Sequence, residues 1–282
     1  MGFAWRHGLR ARESKSLALS RLAALGAVAA IAMSCTLTRE DVTSCNKNAA
    51  CRTAFGAGLV CGASGLCERA PPSPRCTTTF PPDLLTRPKN YEGVITIGAL
   101  MDRSVETQRG REDAIRLATT QVNEERGLDG RPFGIVFCDV AENSQYDSLK
   151  RADAAVASAR YLADVLGVPA IVGPSASGDT IAVFDAIKEQ GVLVISPAAS
   201  SPALTGHDVA TATDQDPGLL WRTATPDTVQ GAAIARHLTT SFPTATNVVV
   251  VNEKGAYGTA LADVFTAAFQ KDGRTVRAIP YE

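Results

Sequence analysis

From residue 94 to residue 282, short continuous apolar runs alternate with longer segments in which apolar residues recur every three or four positions. The first pattern is typical of strands buried on both faces, and the second of helices with one apolar face. Because the two alternate strictly, we predict an α/β fold with a doubly wound parallel sheet. The predicted strands are 94–99, 133–138, 170–172, 192–195, 219–222, 247–251 and 275–279. The predicted helices are 107–126, 148–166, 179–190, 228–240 and 257–271.

Two of these strands end in loops of small and hydroxyl-bearing residues. The strand at 170–172 is followed by GPSASGDT, and the strand at 192–195 by SPAASSPALT. Ligands of open parallel sheets bind beyond the carboxyl ends of the strands, where these loops lie. Ser177 and Asp179 lie where a helix begins, and the free N–H groups there suit a carboxylate or a phosphate. Either residue could instead serve only as the helix N-cap.

The first 34 residues have the features of an export signal. Arginines and a lysine precede an uncharged run at 22–33, which is too short to span a bilayer. The run ends just before Ser34 and Cys35, a pattern that resembles a bacterial lipobox. We therefore predict a periplasmic or cell-envelope protein with a lipid on Cys35 that anchors it to a membrane, with ordinary secretion as the alternative.

The cysteines that follow predict a small disulfide-stapled module at 35–76. An exported chain this dense in cysteine favours disulfides, and a zinc site is unsupported because the segment has no CxxC spacing and no histidine. Apart from Cys35, five cysteines lie in the module, so Cys76 either reaches Cys138 in the next domain or leaves one thiol free. Three prolines then predict an extended linker at 77–91. The disulfide candidates are Cys45, Cys51, Cys61, Cys67, Cys76 and Cys138.

Composition and motifs exclude several function classes. The net charge of −1 gives little support for a nucleic-acid partner. The sequence has no phosphate-binding glycine motif and no cluster of metal ligands, so we predict neither a cofactor nor a metal. The turn that contains Ser175 is similar to the nucleophile elbow of a serine hydrolase, but Ser177 stands where that motif needs glycine. A serine hydrolase is therefore the weakest of the functional hypotheses, and we predict that the chain is not an enzyme.

Residues 92–282 resemble a type I periplasmic binding protein, in particular the branched-chain amino-acid (Leu/Ile/Val) receptors of ABC importers. The resemblance rests on several segments in a fixed order. They are ITIGA at 95–99, NEERGLDGRPF at 123–133, AIVGPSAS at 170–177, GVLVISPAAS at 191–200, WRTATPD at 221–227 and AYG at 256–258. The resemblance implies two lobes that close on a ligand, with lobe 1 at 92–222 and part of lobe 2 at 223–282.

The resemblance also implies which residues hold the ligand. Ser177 and Ser200 match the hydroxyls that bind the carboxylate of an amino acid, and the carbonyl of Ala198 matches an acceptor for its ammonium. Tyr257 matches an aromatic side chain that reaches in from lobe 2. Ser175 and Gly178, in the first loop, complete the candidate set.

The function implied is extracytoplasmic capture of a small polar solute, with an amino acid as the ligand and an ABC permease as the membrane partner. The alternative from another class is a sensor of the same fold that signals to a membrane partner. Two features depart from the family. The segment at 108–111 carries two arginines, which favours a ligand with extra negative charge. The chain also stops early, so we expect an incomplete lobe 2 and an open cleft.

Overall fold

The structure is a computed structural model that describes residues 44–282. The predicted export signal and Cys35 lie outside the described residues. The strands are β1 (Leu59–Cys61), β2 (Cys67–Arg69), β3 (Thr78–Phe80), β4 (Ile95–Met101), β5 (Phe133–Asp139), β6 (Ala170–Val172), β7 (Leu193–Ser196), β8 (Leu220–Arg222), β9 (Asn247–Glu253) and β10 (Thr275–Tyr281). The α-helices are α1 (Asn48–Phe55), α2 (Glu106–Glu124), α3 (Arg151–Arg160), α4 (Ser177–Ile187), α5 (Asp227–Ser241) and α6 (Ala256–Phe269).

Six strands form the main sheet, in the order β3-β5-β4-β6-β7-β8. All neighbouring pairs are parallel except β3 with β5. Each strand and helix predicted from residue 94 onward is present, and the predicted α/β class with a mostly parallel sheet is confirmed. A π-helical turn at Tyr161–Leu166 extends α3.

Successive residues of the central strands pack into cores on opposite faces of the sheet. Leu100 and Val136 lie in the larger core, together with Phe184 of α4. Ala99 and Phe137, their immediate neighbours, lie in a smaller core. This alternation is expected of a strand whose side chains point to both faces, and it explains why the strand sequences are continuously apolar.

The segment at 77–91, predicted as an extended linker, contributes an edge strand to the main sheet, which its pattern did not predict. Its strand β3 pairs antiparallel with β5, and Thr79 lies opposite Val136. The disulfide between Cys76 and Cys138 joins the residues beside this pairing, so the inter-domain bridge that the sequence left open is confirmed. A strand of only three residues, followed directly by two prolines, is too short to recognise from its pattern.

Crossed disulfides hold the cysteine-rich segment, which contains α1, β1 and β2. Cys45 bonds to Cys61 and Cys51 bonds to Cys67, each across 16 positions. The sulfur atoms of Cys45, Cys51 and Cys61 lie close together. Because all three belong to disulfides, they carry no thiolate with which to bind a metal.

The last four elements form a smaller layer. β9 and β10 pair in parallel, and α5 and α6 pack on one face of the pair around Phe265 and Phe269. On the other face, Val249 and Val251 are 59% and 65% exposed. None of the helices in residues 44–282 has the length and apolar character needed to cross a membrane.

Candidate functional site

The two hydroxyl-rich loops meet at one edge of the main sheet. β6 and β7 are parallel neighbours, with Val172 opposite Ile195, so their carboxyl ends lie side by side. The hydroxyl of Ser196, the last residue of β7, donates to the carbonyl of Pro174 at 2.6 Å. The loops therefore form one continuous surface at the edge where open parallel sheets bind ligands.

Ser177 is the first residue of α4 and is buried, with 3% exposure. Its Oγ accepts a hydrogen bond from the backbone N–H of Ser201 at 3.2 Å. Among the residues that the structure describes, no acceptor takes the proton of the Ser177 hydroxyl. Ser177 therefore retains a donor, beside the positive end of the α4 dipole.

The N-cap interpretation of the same loop is wrong. The N-cap of α4 is Ala176, and no side chain caps it. Asp179 instead accepts a hydrogen bond from Nε of Arg151, and the two form an ion pair at 2.6 Å. Burial lowers the pKa of Arg151, but the charge and hydrogen bond of Asp179, together with the charges of Asp102 and Glu142, raise it, and the net direction is upward.

Ser200 lies in the second loop and is coupled to Asp227, the first residue of α5. Its Oγ donates to Oδ2 of Asp227 at 3.1 Å, and the Asp227 N–H donates back to the Ser200 carbonyl at 2.8 Å. Asp227 is 1% exposed, and its Oδ1 has no hydrogen-bond partner. Because the Ser200 proton is already engaged, this pair offers acceptors and negative charge rather than a donor.

The carbonyl of Ala198 accepts no hydrogen bond from the described residues, and the residue is only partly buried. It is therefore a further open acceptor near Ser200. Gly178 is exposed, and a Cβ atom placed there would meet nothing within 4 Å. The structure gives no steric reason for glycine at that position.

Tyr257 belongs to the smaller layer, near the start of α6, and is 40% exposed. The residue before it, Ala256, accepts a hydrogen bond through its carbonyl from Oγ of Ser201 at 2.6 Å. Ser201 is fully buried and also bonds to Ser177. It thus connects the first loop, the second loop and α6, a role that no motif in the sequence signals.

Ser175 makes contacts that the sequence did not predict. Its Oγ accepts a hydrogen bond from Nη1 of Arg111 at 2.5 Å and donates to Oε1 of Gln108 at 3.2 Å. Both partners lie on α2, more than 60 positions earlier. The two arginines at 108–111 were the available signal, but only the folded chain shows which of them reaches the loop.

The surroundings of Ser175 do not support the hypothesis of a serine hydrolase. The described histidines are His207, which contacts Asp185, and His237, which lies near Ser241. Neither contacts Ser175, whose hydroxyl is engaged by Gln108 and Arg111. A nucleophilic serine needs a base within hydrogen-bond reach.

A cavity of about 680 Å³ lies elsewhere, at the amino ends of β4 and β6. Arg52 and Thr96 are among its lining residues, and none of the predicted site residues lines it.

Comparisons with known proteins agree with this architecture. The family model described as "Periplasmic binding protein" matches residues 94–282. The chain is 29% identical over 164 residues to the Leu/Ile/Val-binding protein BraC3 of Rhizobium johnstonii, which covers 58% of this chain and 40% of that protein. It is also 29% identical over 197 residues to the chemotactic signal transduction system substrate-binding protein BasB of Halobacterium salinarum, over 67% of this chain and 44% of that protein.

Solved structures share the fold. A branched-chain amino acid transporter substrate binding protein from Streptococcus pneumoniae, in complex with isoleucine, aligns with a TM-score of 0.52 and 22% identity, over 67% of this chain and 49% of that one. A leucine binding protein from Thermotoga maritima aligns with a TM-score of 0.53 and 22% identity, over the same share of each. The chain spans less than half of the length of each of these relatives.

Proposed function

We propose, from the premise that this chain belongs to the periplasmic binding protein family, that it captures a free amino acid outside the cytoplasm and delivers it to an ABC permease in the membrane. The names of the related proteins, several of which bind leucine, isoleucine or valine, support an amino acid as the ligand. Family membership also supports a binding role rather than an enzymatic one.

The observation that carries the proposal is the contrast between the two loops. Ser177 keeps a free hydroxyl proton at a helix N-terminus, which suits a carboxylate. The open carbonyl of Ala198 and the buried carboxylate of Asp227 beside Ser200 suit an ammonium, which has three protons to donate. An α-amino acid carries both groups on one carbon and can span adjacent loops.

The remaining candidates have supporting roles in this proposal. Tyr257 would contact the ligand when the smaller layer closes on the main sheet, and Gly178 would let the ligand approach the first loop. Ser175 would position its partners on α2. We further propose that Cys35 is lipidated, which would hold the protein at a membrane, and that residues 35–76 form a spacer between that anchor and the two lobes.

A binding assay on the full-length protein tests the function. Isothermal titration with the common amino acids is expected to detect binding of at least one, and Ser177→Ala is expected to weaken it about tenfold to a hundredfold, as loss of a hydrogen bond to a charged group does. Ser241→Ala, an exposed hydroxyl on α5, is the matched control and is expected to bind normally. Absence of binding by any amino acid, or equal affinity of the Ser177 variant, would contradict the proposal.

The relative from Halobacterium salinarum favours a second candidate, in which the bound protein signals instead of delivering its ligand. Both functions require ligand-driven closure, so binding does not separate them. Cells that lack the protein distinguish them: uptake of labelled amino acid falls if the protein serves an importer, whereas only the behavioural response to that amino acid is lost if it serves a sensor.

A further inference from the structure

The hydroxyl of Ser175 cannot donate a hydrogen bond to a ligand, because its proton is already in use. A serine hydroxyl has one proton, and that of Ser175 goes to Oε1 of Gln108. The oxygen of Gln108 is itself held in place, since it also accepts the backbone N–H of Asp102. Ser175 therefore positions Arg111, whose Nη1 donates to its Oγ, rather than binding an anion directly.

Arg111 is a positive charge without a counterion in this structure. Among residues 44–282, two neighbouring arginines at this edge form ion pairs, Arg103 with Glu112 and Arg151 with Asp179, both at 2.6 Å. Arg109 forms no ion pair either, but it is exposed and remains hydrated. Arg111 forms no ion pair with any described carboxylate, and its hydrogen bond to Ser175 leaves its other N–H donors unused. It is also partly buried, so some of its hydration has already been lost.

The fold places this guanidinium at the predicted ligand site. α2 begins beyond the carboxyl end of β4, and β4 lies next to β6, whose following loop carries Ser175 and Ser177. Asp227 lies on the other side of Ser177, next to the loop after β7. At this edge of the sheet, Arg111 therefore lies on one side of the Ser177 hydroxyl, and Asp227, whose charge also interacts with Arg222, lies on the other.

We propose that Arg111 recognises a second anionic group, so that the ligand is an acidic amino acid with two carboxylates. The inference rests on the proposed function, because it adds a residue to the same site. One carboxylate would bind at Ser177, the ammonium would bind near Asp227, and the side-chain carboxylate would form a bidentate pair with the guanidinium. An apolar ligand would cover Arg111 without neutralising it, which disfavours binding.

Titration of the full-length protein with L-glutamate, L-aspartate, L-glutamine and L-leucine tests the inference. Glutamine is nearly the same shape as glutamate and lacks only the charge. We expect the better of the two acidic ligands to bind at least tenfold more tightly than glutamine and leucine. In Arg111→Gln, we expect affinity for the acidic ligand to fall about tenfold to a hundredfold and affinity for glutamine to change less than threefold.

Two further variants keep the result interpretable. Arg109→Gln removes the same charge from the same helix turn, but Arg109 is exposed and its Nε contacts only the backbone carbonyl of Arg103, so it is expected to bind normally. Arg111→Lys keeps the charge and is expected to recover part of the preference for acidic ligands, which would exclude misfolding as the cause of the loss.

The outcomes separate this inference from the function that it rests on. Tight binding of leucine or glutamine with no preference for acidic ligands would overturn the role of Arg111 and leave amino-acid capture intact. If Arg111→Gln lowered the affinities for glutamate and glutamine equally, the inference would also be overturned, because Arg111 would then hold the carboxylate that all amino acids share. Absence of binding by every amino acid would overturn both.

Discussion

Ser175, Ser177 and Ser200 were the serines predicted to bind the ligand, and their chemistry differs because each hydroxyl has a single proton. Ser175 donates it to Gln108 and Ser200 donates it to Asp227, whereas the proton of Ser177 has no acceptor among the described residues. Only Ser177 can donate to a ligand without first breaking a bond within the protein. Equivalent residue types thus present different surfaces to a solute.

The buried carboxylate of Asp227 leads to a prediction about the ammonium. We expect the full-length protein to bind an amino acid more tightly than the 2-oxo acid of the same carbon skeleton, because the latter lacks the group that faces Asp227. In Asp227→Asn, this preference should shrink about tenfold to a hundredfold, as titration with both ligands would show. The 2-oxo acid itself is the control, since its affinity should be nearly unchanged.

If Asp227→Asn still preferred the amino acid over the 2-oxo acid to the same degree, the ammonium would not bind at Asp227. Thermal unfolding of the variant should be measured alongside, since Asp227 also begins α5 and is coupled to the second loop. An equal fall in affinity for both ligands would indicate a folding defect instead of a lost contact. It would count against Asp227 as the partner of the ammonium.

At the scale of elements, the edge strand β3 is held by a disulfide and by a buried arginine. Arg75 donates to the carbonyls of Asp139 and Ala141, at 3.0 and 3.1 Å, and forms an ion pair with Asp147. The hydrogen bond from Arg75 is the main reason that the pKa of Asp147 is lowered to about 2. The ion pair thus ties the segment before β3 to the loop that follows β5.

This pair predicts a pH dependence of stability. A carboxyl group whose pKa is lowered by folding stabilises the folded state above its unfolded pKa, and that contribution is lost as the pH falls through the folded value. Asp147→Asn should therefore lower the free energy of unfolding at neutral pH, because Arg75 loses its partner. The difference from wild type should narrow between about pH 4 and pH 2, as urea titrations would show.

The conservative variant Asp164→Asn provides the control, because no ion pair involving Asp164 is found in the described part of the chain. A difference between wild type and Asp147→Asn that stays constant down to pH 2 would mean that the charge of Asp147 does not contribute to stability.

The elements from residue 94 onward were predictable because strands buried on both faces and helices with one apolar face leave distinct patterns. The short strand β3 has no such pattern in its sequence, since its place in the sheet depends on β5 and on the bond between Cys76 and Cys138. At the site, Ser177 was predictable from a loop between a strand and a helix. The arginines at 108–111 were visible in the sequence, but the bonds from Arg111 to Ser175 and from Ser200 to Asp227 were not, because those partners lie 64 and 27 positions apart.

At the scale of the whole molecule, Ser201 provides one of the polar contacts that join the main sheet to the smaller layer. Its backbone N–H reaches Ser177, and its hydroxyl reaches the carbonyl of Ala256 at the start of α6. A ligand held at Ser177 would therefore lie beside the connection between the two layers. Closure about that connection is the motion that the proposed function requires.

Removing the Ser201 hydroxyl should loosen the start of α6. In Ser201→Ala, we expect faster amide hydrogen exchange across residues 256–260, because the carbonyl of Ala256 loses its donor, while exchange in β4 and β5 stays at the wild-type rate. Mass spectrometry of exchanged peptides resolves these segments. Equal protection of 256–260 in both proteins would show that the connection does not depend on this hydroxyl.

The crossed disulfides of the cysteine-rich segment also determine what a protease can do to it. Each piece left by a single cut between Cys45 and Cys67 contains a cysteine whose partner is in the other piece. A nicked chain would therefore migrate as one band without reductant and as two bands once the disulfides are reduced. Cleavage in this segment would not shed the fragment from the rest of the protein until a reductant reached it.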